Sequence, residues 1–271
     1  MNVFVLSDNT GDGAYEGEHG LSLYIEYGKN RILLDAGKSN LFYRNALRMG
    51  VDLTTVDYAV LSHSHYDHAD GFEKFFEIND KAKLYLRRES GEFFYSQHGD
   101  KMRYIGPAKG MLDRYRNRLI YIDEMSIPVG SSGASLLAHS TDGLEKIASR
   151  AGLYRMVDKD YIPDDFSHEQ TLVFPTEKGL VIFNSCSHAG AANIVHEVTA
   201  AYSSGIYAYI GGFHLFESGD EEVLAFIDIL KTVDVQRIIT GHCTGDRACE
   251  LLRDALGNKV EKLHAGLVME I

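Results

Sequence analysis

His63-Ser64-His65-Tyr66-Asp67-His68 packs four metal-competent side chains into six residues. The apolar run Tyr58–Leu61 ahead of it reads as a buried strand, so the hexapeptide falls at a strand's end, where sites on sheet scaffolds are built. In an extended segment residues two apart share a face. His63, His65 and Asp67 are therefore expected to converge while His68 turns aside. Two imidazoles on one face need only a third to make an open tris-histidine zinc site with room for water. Asp67 and His68 can begin a second site beside it. The alternative, a polar loop whose histidines merely hydrogen-bond, sits poorly with so dense a cluster.

Outward from this stretch the pattern is strand and turn. Val3–Leu6 reads as a strand, and Asp8–Gly20 as a glycine-rich loop. Leu21–Tyr27 alternates with the period of a half-buried strand and turns at Gly28-Lys29-Asn30 into Arg31–Leu34. Ser39 can cap a helix running to about Met49 and ended by Gly50. Residues 87–165 read as irregular and aromatic, interrupted by strand-like pieces at Leu119–Ile122 and Ala134–Ala138. Thereafter strands at Thr171–Phe174, Leu180–Phe183, Ile206–Ile210, Arg237–Ile239 and Gly266–Glu270 alternate with helices at Ala191–Tyr202, Asp220–Lys231 and Asp246–Leu256. Two halves of hairpins followed by strand–helix units predict an α/β fold, an αββα sandwich of two mixed sheets packed face to face with helices outside. The expectation is one domain over residues 1–271, with a substrate-covering insertion at about 87–165.

Hydrophobic residues make up 45% and charged residues 24%, enough apolar surface for a sizeable core. No apolar run is long enough to span a bilayer, and Met1–Ser7 lacks the basic start of a signal peptide. Three cysteines, Cys186, Cys243 and Cys249, offer no disulfide framework and suit a reducing cytoplasm. A net charge of −12 argues against nucleic-acid or anionic-membrane partners. The charge is uneven, however. Between Lys81 and Arg118 ten Lys/Arg stand against four acids, interleaved with Tyr85, Phe93, Phe94, Tyr95, Tyr104 and Tyr115. Such a segment suits an anionic, partly aromatic small molecule, with Arg114, Arg116 and Arg118 as candidate contacts; a solvated face or an oligomer contact is the competing explanation.

His-x-His-x-Asp-His resembles the signature of the metallo-β-lactamase superfamily, and further motifs follow in that family's order. Asn184-Ser185-Cys186-Ser187-His188-Ala189-Gly190 resembles the segment supplying the third histidine of the first metal. Thr240-Gly241-His242-Cys243-Thr244-Gly245 resembles the one supplying the last histidine of the second. Asp35, in Leu33-Leu34-Asp35-Ala36-Gly37, looks like the structural aspartate below the site. The resemblance implies one or two divalent ions, zinc first and manganese or iron as alternatives, held by His63, His65, Asp67, His68, His188 and His242. Glu18-His19-Gly20-Leu21-Ser22, Asp165 with Glu169-Gln170, and Gly211-Gly212-Phe213-His214-Leu215 resemble a subgroup that includes an archaeal pterin-phosphate synthase. His19 is a candidate substrate contact on that likeness.

One departure stands out. Where the family usually places a metal-bridging Asp, this chain has His214, whose two ring nitrogens point apart. His214 is a terminal ligand, a substrate contact or proton donor, or a structural histidine. Cys186 and Cys243 each lie within two residues of an implied ligand; packing beneath the site is the preferred role and ligation the other. His139, His168, His196 and His264 lack a partner pattern.

The resemblance implies a metal-dependent hydrolase that uses metal-activated hydroxide on a small anionic, phosphorylated substrate, with phosphodiester cleavage leading and Asp67 orienting the nucleophile. A pterin-phosphate-forming transferase and a non-catalytic metal-dependent binding protein are the alternatives.

Overall fold

The computed structural model describes residues Met1–Ile271. Two seven-stranded mixed sheets form its centre. The first runs Val268–Glu270, Asn2–Ser7, Ser22–Tyr27, Asn30–Leu34, Tyr58–Val60, Lys83–Arg87, Leu119–Ile122 from edge to edge; its last four strands are parallel. The second runs Val260–Lys262, Arg237–Thr240, Ile206–Gly211, Gly179–Phe183, Gln170–Thr176, Ser135–Ala138, Ser126–Pro128, with its first four strands parallel.

Period-two alternation builds the layers. Ile32 and Leu34 face inward and pack with Phe174, Val181 and Phe183 of the other sheet. Leu33, between them, faces outward onto Phe42 and Ala46 of the helix Leu41–Met49 and onto Phe72 and Phe75 of the helix Phe72–Ile78. In the second sheet Ile182 points the other way from its neighbours, onto Ile194, Phe226 and Leu252 of the helices Ala191–Tyr202, Asp220–Thr232 and Asp246–Leu256. A one-residue slip in any of these strands would turn its apolar set to the wrong layer. The αββα sandwich expected from the pattern is therefore the fold.

Element ends behave as their residues dictate. Ser39 Oγ accepts the Leu41 N–H at 3.1 Å, and Gly50 ends that helix in the left-handed region at φ 72° while its N–H returns to the Ala46 and Leu47 carbonyls. The middle of the chain departs from expectation. Residues 87–165 contribute a third, four-stranded sheet, Asp160–Pro163, Leu153–Val157, Phe94–His98, Lys101–Tyr104, and a helix Leu144–Ala151. Aromatic hairpins with little alternation concealed it. No helix is long and apolar enough to cross a membrane.

Candidate metal centre

Four chain segments meet at the carboxyl ends of parallel strands, the usual place for a site on an open α/β sheet. They follow Tyr58–Val60, Gly179–Phe183, Ile206–Gly211 and Arg237–Thr240, and carry His63–His68, Cys186–His188, His214 and His242. Several residues there hold left-handed backbone that only glycine adopts freely: Asp35 (φ 55°), Ser187 (φ 60°), His214 (φ 50°) and His242 (φ 48°). Such strain gathers where side-chain placement matters more than local comfort.

His63, His65 and His188 form the first cluster, with ligand nitrogens all within 4.8 Å of one another. All three are buried, and Nε2 of each has no hydrogen-bond partner. Burial, reinforced by neighbouring imidazoles, pushes His65 down to about 3 and holds His63 and His188 well below the ordinary histidine range. The rings are neutral and offer lone pairs.

Asp67, His68 and His242 form the second. Asp67 Oδ2 lies 3.5 Å from Nε2 of His68 and 3.5 Å from Nε2 of His242. The two Nε2 atoms are 3.1 Å apart. His242 Nδ1 donates to Asn9 Oδ1 at 3.0 Å, and its N–H donates to Asp8 Oδ1 at 3.0 Å. The Nε2 lone pair of His242 therefore faces His68 and a carboxylate oxygen. That arrangement calls for a cation or a proton between the groups. Burial opposes charge on His68, but Asp67 and Asp35 outweigh it and push the ring up to about 10. Asp67 is drawn below the usual carboxylate range in turn: burial works against this, His68 and His242 prevail.

Three unpaired buried nitrogens in the first cluster, and in the second two Nε2 atoms that face each other with one carboxylate, each fit a divalent ion, since both donor sets are those of zinc-type sites. Asp67 and His68 reach their cluster differently from expectation. The strand ends at Val60, the chain bends through residues 62–64 with His65 N–H returning to His63 O at 3.1 Å, and Tyr66–Ala69 is a helical turn, held by Tyr66 N–H to Ile105 O and by Ala36 N–H to His68 O. In a helical turn adjacent residues can serve one side, so Asp67 leaves the face of His63 and His65 and joins His68.

Supporting groups surround both clusters. Glu169, buried, accepts the N–H groups of His188 (2.9 Å) and Ala189 (2.7 Å) and holds the third-histidine turn. His168 is fully engaged: Nδ1 accepts the Ser64 N–H at 2.9 Å and Nε2 donates to Asp164 at 3.0 Å. Glu169 lies in a motif that the subgroup resemblance marked without giving it a role; His168 with Asp164 and the Asp8-Asn9 pair carry no spacing signal that sequence inspection would single out. His139 hydrogen-bonds Glu197 and Thr171, and His196 is exposed. His19 is half exposed at the rim, with Nε2 3.2 Å from Asp67 Oδ2 and its ring stacked on His242. His214 sits with its ring centroid 4.4 Å from that of His188; its Nδ1 is buried and unpartnered.

A cavity of about 450 Å³ opens beside His188 and His214. Phe166, Phe213 and Phe216 make it largely apolar, and Arg150 is its only Lys or Arg, set against Glu217 and Glu222. The three arginines singled out in sequence are engaged elsewhere. Arg114 pairs with Glu73, Arg116 with Asp113, and Arg118 donates to the carbonyls of Asn79 and Ala82 while lying over Phe76. None of these partners belongs to the metal centre. Helix and strand geometry after residue 110 turns them to the outer side of the first sheet. The basic segment does approach the site through Arg103, over the Tyr66 ring, and Phe94, against His65 and His168.

The fold is that of a known family. The model of the metallo-beta-lactamase superfamily matches residues 15–148. A 7,8-dihydropterin-6-methyl-4-(beta-D-ribofuranosyl)-aminobenzene-5'-phosphate synthase of Methanocaldococcus jannaschii is 28% identical over 93% of this chain and 90% of its own length. An uncharacterized protein of the same organism is 31% identical, over 91% of each chain. The crystal structure of a metal-dependent hydrolase of the beta-lactamase superfamily superposes with a TM-score of 0.87 at 29% identity, covering 100% of this chain and 99% of that one. The chain belongs to the metallo-β-lactamase superfamily. A diphosphatase of the PhnP family, 13% identical with a TM-score of 0.59 over 100% of this chain and 97% of that one, shares the fold.

Proposed function

We propose that the protein is a metal-dependent hydrolase acting on a small, phosphorylated, ring-bearing anion, with phosphodiester cleavage as its reaction. The observation that carries this is the juxtaposition of two buried donor sets beside an apolar cavity: three histidines whose Nε2 atoms have no partner, and a second set in which two Nε2 atoms and a carboxylate face one another. A divalent ion in each set, zinc first, would supply a coordinated water of pKa near 7 and polarisation of the scissile group.

The chain's own groups do the remaining work. His63, His65 and His188 would hold one ion, and Asp67, His68 and His242 the other. Asp67 Oδ2, 3.2 Å from His19, orients the attacking water and draws His19 over the site mouth. His214 Nδ1, unpartnered at the cavity wall, passes a proton to the leaving oxygen; burial disfavours its charge, but Cys243 raises it above the ordinary histidine range. Phe166, Phe213 and Phe216 exclude water and stack on a planar ring, and Arg150 attracts the anion. Three buried free thiols suit a reducing compartment such as the cytoplasm.

Full-length relatedness to a synthase supports a second reading, a transferase joining a dihydropterin to an aminobenzene ribose phosphate, which needs a pyrophosphate-bearing substrate at the centre. The test is turnover of metal-loaded protein on bis(p-nitrophenyl) phosphate, on the matching monoester, and on a dihydropterin pyrophosphate with and without the aminobenzene acceptor. Diester cleavage independent of acceptor supports the hydrolase. Product formed only with acceptor replaces it by the transferase.

A further inference from the structure

Cys186 stands between the two clusters. Its Sγ is 3.4 Å from His68 Nε2, and Sγ, His63 Nε2 or Nδ1 and a His68 nitrogen all lie within 4.8 Å of one another. His63 belongs to the first donor set and His68 to the second. Tetrahedral geometry with metal–nitrogen bonds near 2.0 Å and metal–sulfur near 2.3 Å puts a nitrogen and a sulfur on one ion about 3.5 Å apart. The observed Sγ–Nε2 separation is that edge. His63 Nε2, fully buried and without a partner, belongs to the first donor set, so the thiol lies between the two positions.

Resting on the metal-centre reading above, we propose that Cys186 is a thiolate ligand of the second ion, on the side facing His63. It supplies there the anionic donor that the chain lacks for want of a bridging aspartate. Sulfur ligation biases the second position toward zinc, cobalt or iron and away from manganese and magnesium, which prefer oxygen. Binding replaces the S–H bond by a metal–sulfur bond, and the proton leaves to buffer.

Cys243 backs this position without sharing it. Its Sγ lies 3.6 Å from Cys186 O, and His214, Cys186 and Cys243 offer donor atoms within 4.8 Å. Gly212 makes room for that thiol; a Cβ there would sit 2.5 Å from Cys243 Sγ. A thiol packed so tightly against the Cys186 backbone is a positioning group for the ligand loop.

The test is cobalt(II) substitution of the full chain, reading metal content and the near-ultraviolet sulfur-to-cobalt charge-transfer absorption. The wild-type protein is expected to bind about two equivalents with that absorption present. Cys186→Ser should lose the absorption and fall to about one equivalent, while Cys243→Ser and Cys249→Ser keep both. Two equivalents without the absorption, or absorption that survives in Cys186→Ser, overturns the proposal and leaves the metal centre standing. No cobalt bound by wild type overturns the metal centre itself. Should Cys186→Ser fail to fold, the wild-type spectrum and a zinc-versus-manganese competition decide: equal occupancy by the two metals at the second position overturns sulfur ligation.

Discussion

Asp35 Oδ2 accepts a hydrogen bond from His68 Nδ1 at 2.8 Å, with both side chains fully buried. The same oxygen accepts the Ser62 hydroxyl at 2.7 Å, and Oδ1 accepts the Ser62 N–H at 2.7 Å. Having donated its one proton to Asp35, Ser62 Oγ can only accept from His63 Nδ1, 2.9 Å away. One carboxylate thereby sets the tautomer of a histidine in each cluster and leaves both Nε2 atoms free to ligate.

Asp35→Asn should therefore weaken metal binding at both positions, by about 10–100-fold, the usual cost of losing a carboxylate behind a ligating histidine. Competition with a chromophoric chelator measures it, with circular dichroism as the control for folding. Unchanged affinity in a folded variant would show that packing alone orients the rings.

Stability of the metal-free protein should peak near neutral pH. His68 is raised to about 10 in the fold, so its contribution is complete below the unfolded value of about 6.5 and is lost as pH climbs toward 10. His65 and His242 are lowered, to about 3 and about 4, by burial. The unfolded chain takes up protons below about 6.5 that these rings refuse, so stability also falls as pH drops from 6.5 toward 4. Thermal unfolding across this range checks both limbs. Zinc should remove the alkaline limb, because the ion takes the place of the His68 proton; an alkaline decline that persists in the loaded protein would contradict that assignment.

Glu169→Ala should destabilise the metal-free protein by about 2–5 kcal/mol, because two buried N–H groups, those of His188 and Ala189, lose their acceptor. Glu169→Gln, which keeps one acceptor oxygen, should cost clearly less. Chemical denaturation of both variants distinguishes this from a loss of negative charge, for which the two substitutions would be equivalent.

Among the arginines, Arg150→Ala should raise KM for an anionic substrate several-fold while kcat holds, since the side chain lines the cavity but touches no ligand. Arg114→Ala and Arg116→Ala should leave both constants alone, their ion pairs being exposed. Arg118→Ala should lower Tm instead, having lost its bonds to Asn79 and Ala82. A KM effect confined to Arg114 or Arg116 would return the substrate to the segment that charge counting favoured.

Local sequence was sufficient wherever period and spacing carry the information. Alternation in Leu21–Leu34 and Thr171–Phe183, and Gly50 as a helix stop, are short-range properties, so the two-sheet sandwich was legible. The hexapeptide stood out because metal chemistry restricts ligands to a few residue types, whereas the His188 and His242 turns were pointed to only by the family resemblance. Three features depended on the tertiary structure. The helical turn at Tyr66–Ala69, held by bonds to Ile105 and Ala36, decided how Asp67 leaves the face of His63 and His65 to join His68. Contacts across more than a hundred residues, Ser64 with His168 and Cys186 with His68, decided that His168 is engaged and that the Cys186 thiol lies against His68. Charge counting likewise could not say which side of the sheet an arginine serves. Direction in space comes from how distant segments pack, and no local pattern of residues encodes it.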